Sequence, residues 1–355
     1  MNISESQLIW IACLSKRGGG VHLLRETEQI LVKSGFSIFS IVSIKQNSSI
    51  ANCKVLNTPS LTVFKLIHFF TFPFTSFALF YRSRSKLPVA LIQIMPSPMD
   101  YWLDIWCRIF GVRIYRAIHD FQPHPGEIWP TKTAIQHRIN NAAEVFAFSA
   151  FVLENLYPMS DKRIHKCSLP VEIKPDGSIS PGLRNLVSKL EHPLVLFIGR
   201  IRKYKGLDFF LEATSDYSNS DFSFLIAGSG SINVTERKNV FLWNEWLTEA
   251  EIDFLLNEAD VVVFPYLEAS QSGVIPLAMK KNKVILATKV GSLGEQLNGY
   301  ERKVLVDPGI SKSLIEGLDV AIHLSSNQHT FKNSPTIGHM IPLGEVIKGV
   351  LQKNK

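Results

Sequence analysis

The stretch from Val261 to Glu295, VVVFPYLEASQSGVIPLAMKKNKVILATKVGSLGE, predicts a strand, a polar loop, a helix, a second strand and a further loop. The polar loop, Glu268 to Gly273, opens directly onto the predicted helix. In an α/β sheet such a loop is where a phosphorylated ligand binds, because backbone N–H groups and the helix dipole point at it. A carboxylate such as Glu268 is unfavourable beside an anion site unless it meets hydroxyl groups, as in a sugar. The stretch therefore predicts a site for a sugar phosphate or sugar nucleotide.

The length and composition predict two packed domains. The chain has 355 residues, of which 46% are hydrophobic and 19% charged, and this argues against disorder. The net charge of +7 is compatible with nucleic acid, an anionic membrane surface or phosphorylated substrates. The basic residues are spread out and form no nucleic-acid-binding motif, so we expect no nucleic-acid partner.

The cysteines and the N-terminal region indicate a cytoplasmic protein. Cys13, Cys53, Cys107 and Cys167 show no spacing typical of zinc or redox sites, so we expect reduced thiols. The apolar run Leu8–Leu14 is too short for a signal peptide and has no basic residue before it. We interpret it as the first strand.

Residues 1–170 are predicted to form a Rossmann-like, acceptor-binding domain. The strand Leu8–Leu14, the loop Ser15–Gly20, the helix Val21–Lys33 and the strand Ser37–Ile44 make one βαβ unit, which is typical of a parallel sheet. Further strands are predicted at Val89–Ile94, Arg113–Ala117 and Val145–Ser149.

Residues 171–192 contain Pro, Gly and Ser and then a short helix-like run, and they are predicted to be a linker that leads into the second domain. A second Rossmann-like domain, which binds the donor nucleotide, follows at 193–330, and 331–355 form a helical segment that packs back on the first domain. The strands expected there are Leu194–Ile198, Phe222–Ala227, Val240–Leu242, Val261–Pro265, Val284–Ala287 and Val304–Val306. The helices expected are Leu207–Thr214, Thr248–Asn257, Val274–Lys281, Lys312–Leu324 and Gly344–Leu351.

The Phe-rich stretch Leu61–Lys86 approaches the length of a membrane-spanning helix. Lys65, His68 and Pro73 interrupt it, so we do not expect it to span a bilayer. Two interpretations stay open. It is either a buried helix of the first domain or a partly exposed amphipathic segment that lies on an anionic membrane.

Two glycine-containing loops are candidates for binding phosphate. Gly18 to Gly20 lie between a strand and a helix, where Gly19 and Gly20 would let the backbone approach a diphosphate, although a tight turn would use glycine too. Gly199-Arg200…Lys205-Gly206 follows a strand and supplies two cations that suit a diphosphate. In a glycosyl transfer these cations would neutralise the nucleoside diphosphate as it leaves.

The sequence AIHDFQPHPGE, from Ala117 to Glu127, places His119 and Asp120 at the end of a predicted strand. These residues are catalytic candidates, by hydrogen bonding to sugar hydroxyls or by proton transfer. Asp120 could either orient His119 or act on the acceptor hydroxyl. His124 and Glu127 follow in a loop rich in proline and glycine and are assigned to acceptor binding or to support of the site.

The opening stretch supplies the remaining candidates. Glu268 is the third catalytic candidate, and Gly291 and Glu295 close the region in the next loop, where Glu295 is either a supporting residue or only an acid at a helix start. No Asp-x-Asp pair, Walker loop or Gly-x-Ser-x-Gly elbow occurs, so we expect no metal and no cofactor. Diphosphate contacts are expected from Ser270, Gln271, Ser272, Gly273 and Val274.

Together these motifs resemble the retaining GT-B glycosyltransferases of family four, the glycosyl transferase group 1 enzymes, over nearly the whole chain. The glycine loop, the strand ending in Ser149, the Gly-Arg…Lys-Gly element and the segment from Glu268 to Glu295 follow the order of that family. The resemblance implies an α/β fold with two Rossmann-like domains facing across a cleft. It also implies sugar transfer from a nucleotide sugar with retention and without a metal.

The resemblance further implies roles for single residues. Arg200 and Lys205 would hold the diphosphate, Glu268 would contact the hydroxyls of the transferred sugar, and His119 would face the same sugar. The family usually carries a second glutamate that binds the ribose, but here Pro276 occupies its position. Ribose recognition must therefore be different from that of the family or weaker.

The Ala-Ser-Gln-Ser-Gly element at 269–273 resembles a bacterial subgroup that builds surface polysaccharide such as O-antigen or capsule. The acceptor would then be a lipid-linked glycan, and the basic, Phe-rich chain would work at the inner face of the cytoplasmic membrane. Two alternatives are a sugar-nucleotide 2-epimerase of the same fold and a sugar-nucleotide-binding protein without catalysis.

Overall fold

The chain folds into two compact units. The computed structural model describes residues 7–14, 19–42, 53–55, 62–125, 130–170, 175, 177–215, 222–231, 237–326 and 341–353. The first unit comprises Met1–Pro123, Ile128–Pro170 and Met340–Lys355, and the second comprises His124–Glu127 and Val171–His339.

Within the described residues, the first unit is built on a parallel sheet of seven strands in the order β3-β2-β1-β4-β5-β6-β7. The strands are β1 Leu8–Cys13, β2 Ser37–Val42, β3 Cys53–Val55, β4 Ala90–Gln93, β5 Arg113–Ile118, β6 Glu144–Ala147 and β7 Ile164–Lys166. The first helices are α1 Gly19–Lys33, α2 Thr62–Arg82, α3 Asp100–Phe110, α4 Lys132–Asn140 and α5 Ala150–Leu156.

Both faces of this sheet are covered, as the continuous apolar sequence of β1 requires. Alternate side chains of a strand point to opposite faces. Accordingly Ile9 and Ile11 join a buried cluster with Leu23 and Leu24 of α1, whereas Trp10 joins another cluster with side chains from α2 and α3.

The second unit contains a parallel sheet of six strands among its described residues, in the order β10-β9-β8-β11-β12-β13. The strands are β8 Leu194–Ile198, β9 Ser223–Ala227, β10 Val240–Trp243, β11 Val261–Phe264, β12 Val284–Thr288 and β13 Lys303–Val306. The helices are α6 Pro181–Val187, α7 Leu207–Ala213, α8 Glu249–Glu258, α9 Ile275–Lys280, α10 Leu293–Gln296 and α11 Ser311–Ser326.

Much of the segment predicted as a linker is packed into the second unit. Leu183 and Val187 of α6 are buried. Glu251, in the first turn of α8, forms a capping box with Thr248 and also accepts a 3.1 Å hydrogen bond from the backbone N–H of Ser180. Helix α6 lies where the sequence predicts a short helix-like run at the entry to the second domain.

The C-terminal helix α12, Leu343–Lys353, belongs to the first unit. It packs against α1, where a Cβ added at Gly344 would come within 2.9 Å of the Cβ of Ile30. A glycine at this position therefore permits the close approach of the two helices. The backbone N–H of Ser168 also bonds the carbonyl of Ile341 at 2.9 Å and fixes the start of this segment.

Helix α2 covers most of the Phe-rich stretch and is buried on one side and exposed on another. Phe72, Leu79 and Phe80 are buried, whereas Phe70 and Phe74 are exposed. In the part of the chain that the structure describes, no helix has both the length and the apolarity needed to cross a membrane.

Each sheet reverses its strand order once. In the first unit the reversal lies between β1 and β4, and in the second between β8 and β11. In open parallel sheets, ligands bind at the carboxyl ends of the strands beside such a reversal. The loops after β1, β4, β8 and β11 are therefore the candidate ligand-binding loops.

Candidate functional site

In the first unit the two glycines of the loop after β1 have different surroundings. A Cβ at Gly20 would come within 2.4 Å of the Cγ of Met95, just after β4, whereas a Cβ at Gly19 would meet nothing within 4 Å. Gly20 therefore allows the start of α1 to approach the end of β4. Gly19 is exposed and is the one whose backbone a ligand could reach.

His119 lies at the end of β5, at the same edge of the sheet. Its ring stacks on Phe148 with the ring centroids 4.3 Å apart, and the backbone of Ile94 hydrogen-bonds it. Burial lowers the pKa of His119 to about 4, although the charge of Asp120 opposes this change. The imidazole is therefore neutral at physiological pH and suits hydrogen bonding to hydroxyls better than proton donation.

A buried ionic cluster lies beneath this edge. Asp100 and Asp104 of α3 pair with Arg138 of α4 and Arg116 of β5, and all four side chains are nearly inaccessible. Arg138 also donates a 3.4 Å hydrogen bond to the carbonyl of Ala117. Burial raises the pKa of Asp100, while the nearby Arg138 opposes the rise. The cluster ties two helices to the strand that carries His119.

In the second unit, glycines shape the loop after β8. Gly206 has a φ of +65°, and a Cβ there would come within 1.9 Å of the carbonyl oxygen of Pro265. Gly228 after β9 has a φ of +144°, and its Cβ would come equally close to the carbonyl oxygen of Gly199. Both the backbone angle and the close approach require glycine, so the loops after β8, β9 and β11 are packed against each other.

Lys205 is held inside this arrangement by Tyr266. Its Nζ donates a 2.9 Å hydrogen bond to the Tyr266 hydroxyl and lies 4.9 Å from the centre of that ring. A Cβ at Gly199 would lie 3.3 Å from the same Nζ. An ammonium group has three N–H donors, and the bond to Tyr266 uses one. Arg200 lies exposed directly after β8.

Glu268 stands next to His124, which belongs to the second unit. The Oε1 of Glu268 is 3.4 Å from the Nδ1 of His124, and 37% of the Glu268 side chain is exposed. The His124 ring stacks on Tyr204 at 4.3 Å with an interplanar angle of 11°. The carbonyl of Tyr204 accepts hydrogen bonds from the backbone N–H groups of Leu267 and Glu268 at 2.8 and 3.3 Å. The position of Glu268 is thus fixed by the turn that carries Lys205.

The loop from Ser270 to Val274 is braced from below by the segment around α10. The backbone N–H and carbonyl of Ser272 bond the side-chain amide of Gln296 at 2.9 and 3.0 Å. Ser292 donates to the carbonyl of Ser270. The N–H of Ser272, expected to point at a diphosphate, is therefore committed to Gln296. Ser270 and Ser272 are buried, whereas Gln271 and Val274 are partly exposed and Gly273 is exposed.

Pro276 occupies the second position of α9 and is buried. An N–H group at this position has no partner inside the helix, so proline fits there without loss. Helix α9 spans Ile275–Lys280 and is one residue shorter at each end than the predicted helix Val274–Lys281.

The remaining candidates take different places. Glu295 lies partly exposed on α10, where its neighbour Gln296 makes the contacts to the loop. Asp120 is partly exposed directly after β5. Gly18 and Glu127 lie outside the described residues.

The sequence motifs do not indicate Tyr204, Tyr266, Gln296 or Gly228. The two tyrosines lie within two residues of Lys205 and Glu268, and an aromatic residue with a polar end beside a motif is a signal that could have indicated them. Gly228 belongs to the run Ala227-Gly228-Ser229-Gly230, which directly follows a predicted strand in the manner of the loop at Gly199.

The two sheets and their strand reversals define the fold class. Two units with parallel sheets, each with candidate ligand loops beside its strand reversal, are the architecture of the GT-B glycosyltransferases. Residues 192–323 match the family model described as Glycosyl transferases group 1. No protein of curated function matches the chain in sequence.

Several solved structures share the architecture. Sucrose-phosphate synthase from Thermosynechococcus elongatus has a TM-score of 0.73 at 15% identity, covering 98% of both chains. The HepE protein of Anabaena, in complex with UDP and glucose, has a TM-score of 0.69 at 14% identity, covering 98% of this chain and 99% of the other. UDP-GlcNAc 2-epimerase from Methanocaldococcus jannaschii has a TM-score of 0.64 at 10% identity, with the same coverage.

Proposed function

We propose that the protein is a retaining, metal-independent glycosyltransferase that moves a sugar from a nucleotide sugar to a lipid-linked glycan. The product would be a bacterial surface polysaccharide such as O-antigen or capsule. The reaction would take place in the cytoplasm at the inner face of the membrane.

The observation that carries this proposal is the position of Lys205 and Glu268. They follow β8 and β11, the two strands on either side of the reversal in the second sheet. The backbone bonds from Leu267 and Glu268 to Tyr204 hold the two loops together. A cation and a carboxylate fixed in this way suit a ligand with a phosphate at one end and hydroxyl groups at the other.

Lys205 and Arg200 would bind the diphosphate. As the bond between the sugar and the diphosphate breaks, negative charge grows on the leaving oxygen, and fixed cations stabilise that charge. Lys205 is suited to this role because Tyr266 already orders its side chain.

Glu268 would accept hydrogen bonds from hydroxyl groups of the transferred sugar. His124 lies against one of its oxygens and would orient the carboxylate. In the first unit, His119 would hydrogen-bond the sugar as a neutral ring, consistent with its lowered pKa. Asp120 would either orient His119 or act on the acceptor hydroxyl.

Retention would follow from a front-face reaction. The acceptor oxygen forms its bond to the anomeric carbon on the side from which the diphosphate departs, and a diphosphate oxygen takes the acceptor proton. Such a path requires a stabilised leaving group rather than a nucleophile from the protein. Full activity in the presence of EDTA would support independence from metal ions, and activity restored only by Mg²⁺ or Mn²⁺ would contradict it.

The donor base is the first property to measure. HepE of Anabaena was solved with UDP and glucose, so UDP-sugars are the first ligands to test. Pro276 offers no acceptor for the ribose hydroxyls and is buried, so the base and ribose would be bound by other groups. A thermal-shift screen with UDP-, GDP- and dTDP-sugars tests this, because a ligand at a hundredfold excess over its Kd stabilises the folded state by about 2.7 kcal/mol.

A matched pair of variants ties the thermal shift to the proposed site. Lys203 and Lys205 lie on the same short turn, but Lys203 is exposed. Lys205→Ala should abolish most of the shift caused by the preferred nucleotide, and Lys203→Ala should retain it. Equal shifts in the two variants would contradict the role of Lys205.

The epimerase alternative has a direct test, since an epimerase of known structure shares the architecture. Incubation with a UDP-sugar and no acceptor would produce the 2-epimer if this alternative held. A sugar-nucleotide-binding protein without catalysis would show the thermal shift but neither epimerisation nor transfer. Transfer that depends on an acceptor distinguishes our proposal from both.

A further inference from the structure

Helix α2 presents a row of exposed aromatic side chains on its surface. The row, which we call the aromatic stripe, consists of Phe70, Phe74, Phe77 and Tyr81, whose exposed fractions are 66%, 76%, 39% and 50%. Large aromatic side chains in water are unfavourable, and a contiguous set of them marks an interaction site more often than single exposed residues do.

The spacing of the stripe places it on one side of the helix. Its members are four, three and four residues apart, and at about 100° per residue they fall within a sector of about 60°. The buried residues Phe72, Ser76, Leu79 and Phe80 occupy the opposite side and pack into the core of the first unit or hydrogen-bond within it. The stripe therefore lies on the side of the helix away from the core, and only Phe77 also packs against α3.

Contacts with α3 hold Phe77 of the stripe in place. The ring of Phe77 lies 4.9 Å from Trp106 and 6.2 Å from Phe110, and it stacks on Tyr81 at 5.9 Å. The indole N–H of Trp106 donates a 3.0 Å hydrogen bond to the hydroxyl of Ser76. The Phe77 and Tyr81 end of the stripe is thus ordered before any partner binds, which lowers the entropy lost on binding.

Basic residues lie next to the stripe, at its C-terminal end. Arg82, Arg84 and Lys86 are exposed and follow Tyr81 directly. The guanidinium of Arg84 lies 4.2 Å from the centre of the Tyr81 ring and donates a 3.0 Å hydrogen bond to the Tyr81 carbonyl. The sequence from Phe70 to Tyr81 contains no charged residue. An uncharged aromatic surface thus borders a compact positive one.

This combination fits an anionic lipid surface. Aromatic side chains partition into the interfacial region of a bilayer, and arginine and lysine beside them bind anionic headgroups. A second copy of the chain fits less well. The stripe is about 17 Å long and about 10 Å wide, the width of one helix face. Its area is therefore much smaller than the roughly 800 Å² that each partner buries in a stable interface. The net charge of +7 also opposes self-association.

We propose that the aromatic stripe and the basic residues Arg82, Arg84 and Lys86 dock the first unit onto an anionic membrane surface. The helix lies in the interfacial region, with Phe74 inserted deepest and the basic residues among the headgroups. The purpose of docking, access to a lipid-linked acceptor, rests on the proposed function. The binding itself requires neither donor nor acceptor.

Vesicle flotation with the full chain tests the proposal. The protein should float with vesicles of phosphatidylcholine that contain phosphatidylglycerol, and much less with phosphatidylcholine alone. High salt should weaken this binding, because it screens exposed charges. No binding to the anionic vesicles, or equal binding to both kinds, would overturn the proposal.

Variants connect the binding to these residues. Phe74→Ser should weaken partitioning about tenfold, because it removes one inserted aromatic side chain. Its matched control is Ile310→Ser in the second unit, where Ile310 is 51% exposed. The triple variant Arg82→Glu/Arg84→Glu/Lys86→Glu should weaken binding by about a hundredfold or more. The control with the same change in charge is Lys189→Glu/Lys238→Glu/Lys312→Glu, at exposed positions of the second unit.

Two further measurements keep the result interpretable. Unchanged melting temperatures and nucleotide-induced thermal shifts in the stripe variants would show that loss of flotation reflects lost docking. Docking without any sugar transfer would contradict the proposed function and leave this inference standing. Concentration-dependent dimerisation that Phe74→Ser abolishes would instead make a second copy the occupant and overturn the inference.

Discussion

The Nζ of Lys205 donates a hydrogen bond of 2.9 Å to the hydroxyl of Tyr266, and this contact joins the loop after β8 to the loop after β11. The Tyr266 hydroxyl also lies 3.4 Å from the Oγ of Ser272, and the backbone carbonyl of Tyr266 accepts a 2.6 Å hydrogen bond from the hydroxyl of Thr288. The tyrosine is 1% exposed. A buried aromatic residue thus orients the ammonium that we assign to the donor diphosphate.

Replacing Tyr266 by Phe should weaken binding of the donor nucleotide. The change removes the acceptor that orders Lys205 and retains the ring. A hydrogen bond to a charged group contributes about 1.5–3 kcal/mol, so the Kd for the nucleoside diphosphate should rise about tenfold or more. Isothermal titration calorimetry measures this. Tyr157→Phe, at a position 55% exposed in the first unit, should leave the Kd unchanged, and equal Kd values in both variants would argue against the role of Tyr266.

Substituting Gly206 tests whether the packed loops are needed. Gly206→Ala introduces a Cβ within 1.9 Å of the Pro265 carbonyl and also strains a φ of +65°. Gly309→Ala has nearly the same φ, +69°, but its Cβ meets nothing within 4 Å. The control should therefore lose about 1 kcal/mol of unfolding free energy from backbone strain alone. Gly206→Ala should lose clearly more and also lose nucleotide binding, as urea denaturation and calorimetry would show.

His119 should remain neutral throughout the physiological pH range. Burial lowers its pKa to about 4, below the value of about 6.5 in an unfolded chain. Between these values the unfolded state binds more protons, so the contribution of His119 to the free energy of unfolding falls as the pH falls from about 6.5 to 4. NMR titration of the ring, assigned from the signal that His119→Asn lacks, measures the pKa directly. A value near 6.5 would contradict the neutral role.

The lowered pKa of His119 should also affect how the free energy of unfolding depends on pH. His119→Asn removes the titrating group, so its unfolding free energy should fall less than that of the wild type between pH 7 and pH 4.5. The difference in the loss should be of the order of 2–3 kcal/mol. Identical pH dependence of urea unfolding in the two proteins would show that the pKa of His119 is the same in the folded and unfolded states, and would contradict the prediction.

The pair of Asp100 and Arg138 should be important for stability. Both side chains are at most 5% exposed, so Asp100→Ala leaves a buried guanidinium without its carboxylate. Such a change destabilises proteins by about 3–5 kcal/mol. The exposed pair of Glu345 and Lys348 supplies the control, because Glu345→Ala should change stability by less than about 1 kcal/mol. Similar melting temperatures for the two variants would contradict this account of the cluster.

The sequence predicts the elements whose side chains follow a simple pattern. The apolar run Leu194–Ile198 forms β8 with the predicted bounds, and Val261–Pro265 forms β11 within one residue. Helix α3 was not predicted, because Asp100 and Asp104 interrupt its apolar face and are nevertheless buried in ion pairs. Local patterns cannot show that a charged residue will find a partner on another helix.

The candidate site shows the same difference between residues that a local pattern indicates and residues that depend on tertiary contacts. The motifs select Lys205 and Glu268 as candidates, because a cation or a carboxylate in the loop after a buried strand seldom belongs to the core. They do not select Tyr204 and Tyr266, since aromatic residues next to strands usually do belong to it. Gln296 contacts Ser272 across 24 residues of chain, and no local pattern indicates such a contact. Side chains that support a site depend on the tertiary fold more than those that touch the ligand.

The most direct test of the account is transfer of a radiolabelled sugar from the preferred nucleotide sugar to a lipid-linked glycan. The wild type, Lys203→Ala and Glu301→Gln, which change exposed residues, should transfer the label at similar rates. Lys205→Ala and Glu268→Gln should lower kcat/KM by about a hundredfold or more, because they remove groups assigned to the transition state. Full activity that survives both Lys205→Ala and Glu268→Gln would contradict the assigned site, and no transfer with any donor and acceptor would contradict the proposed reaction.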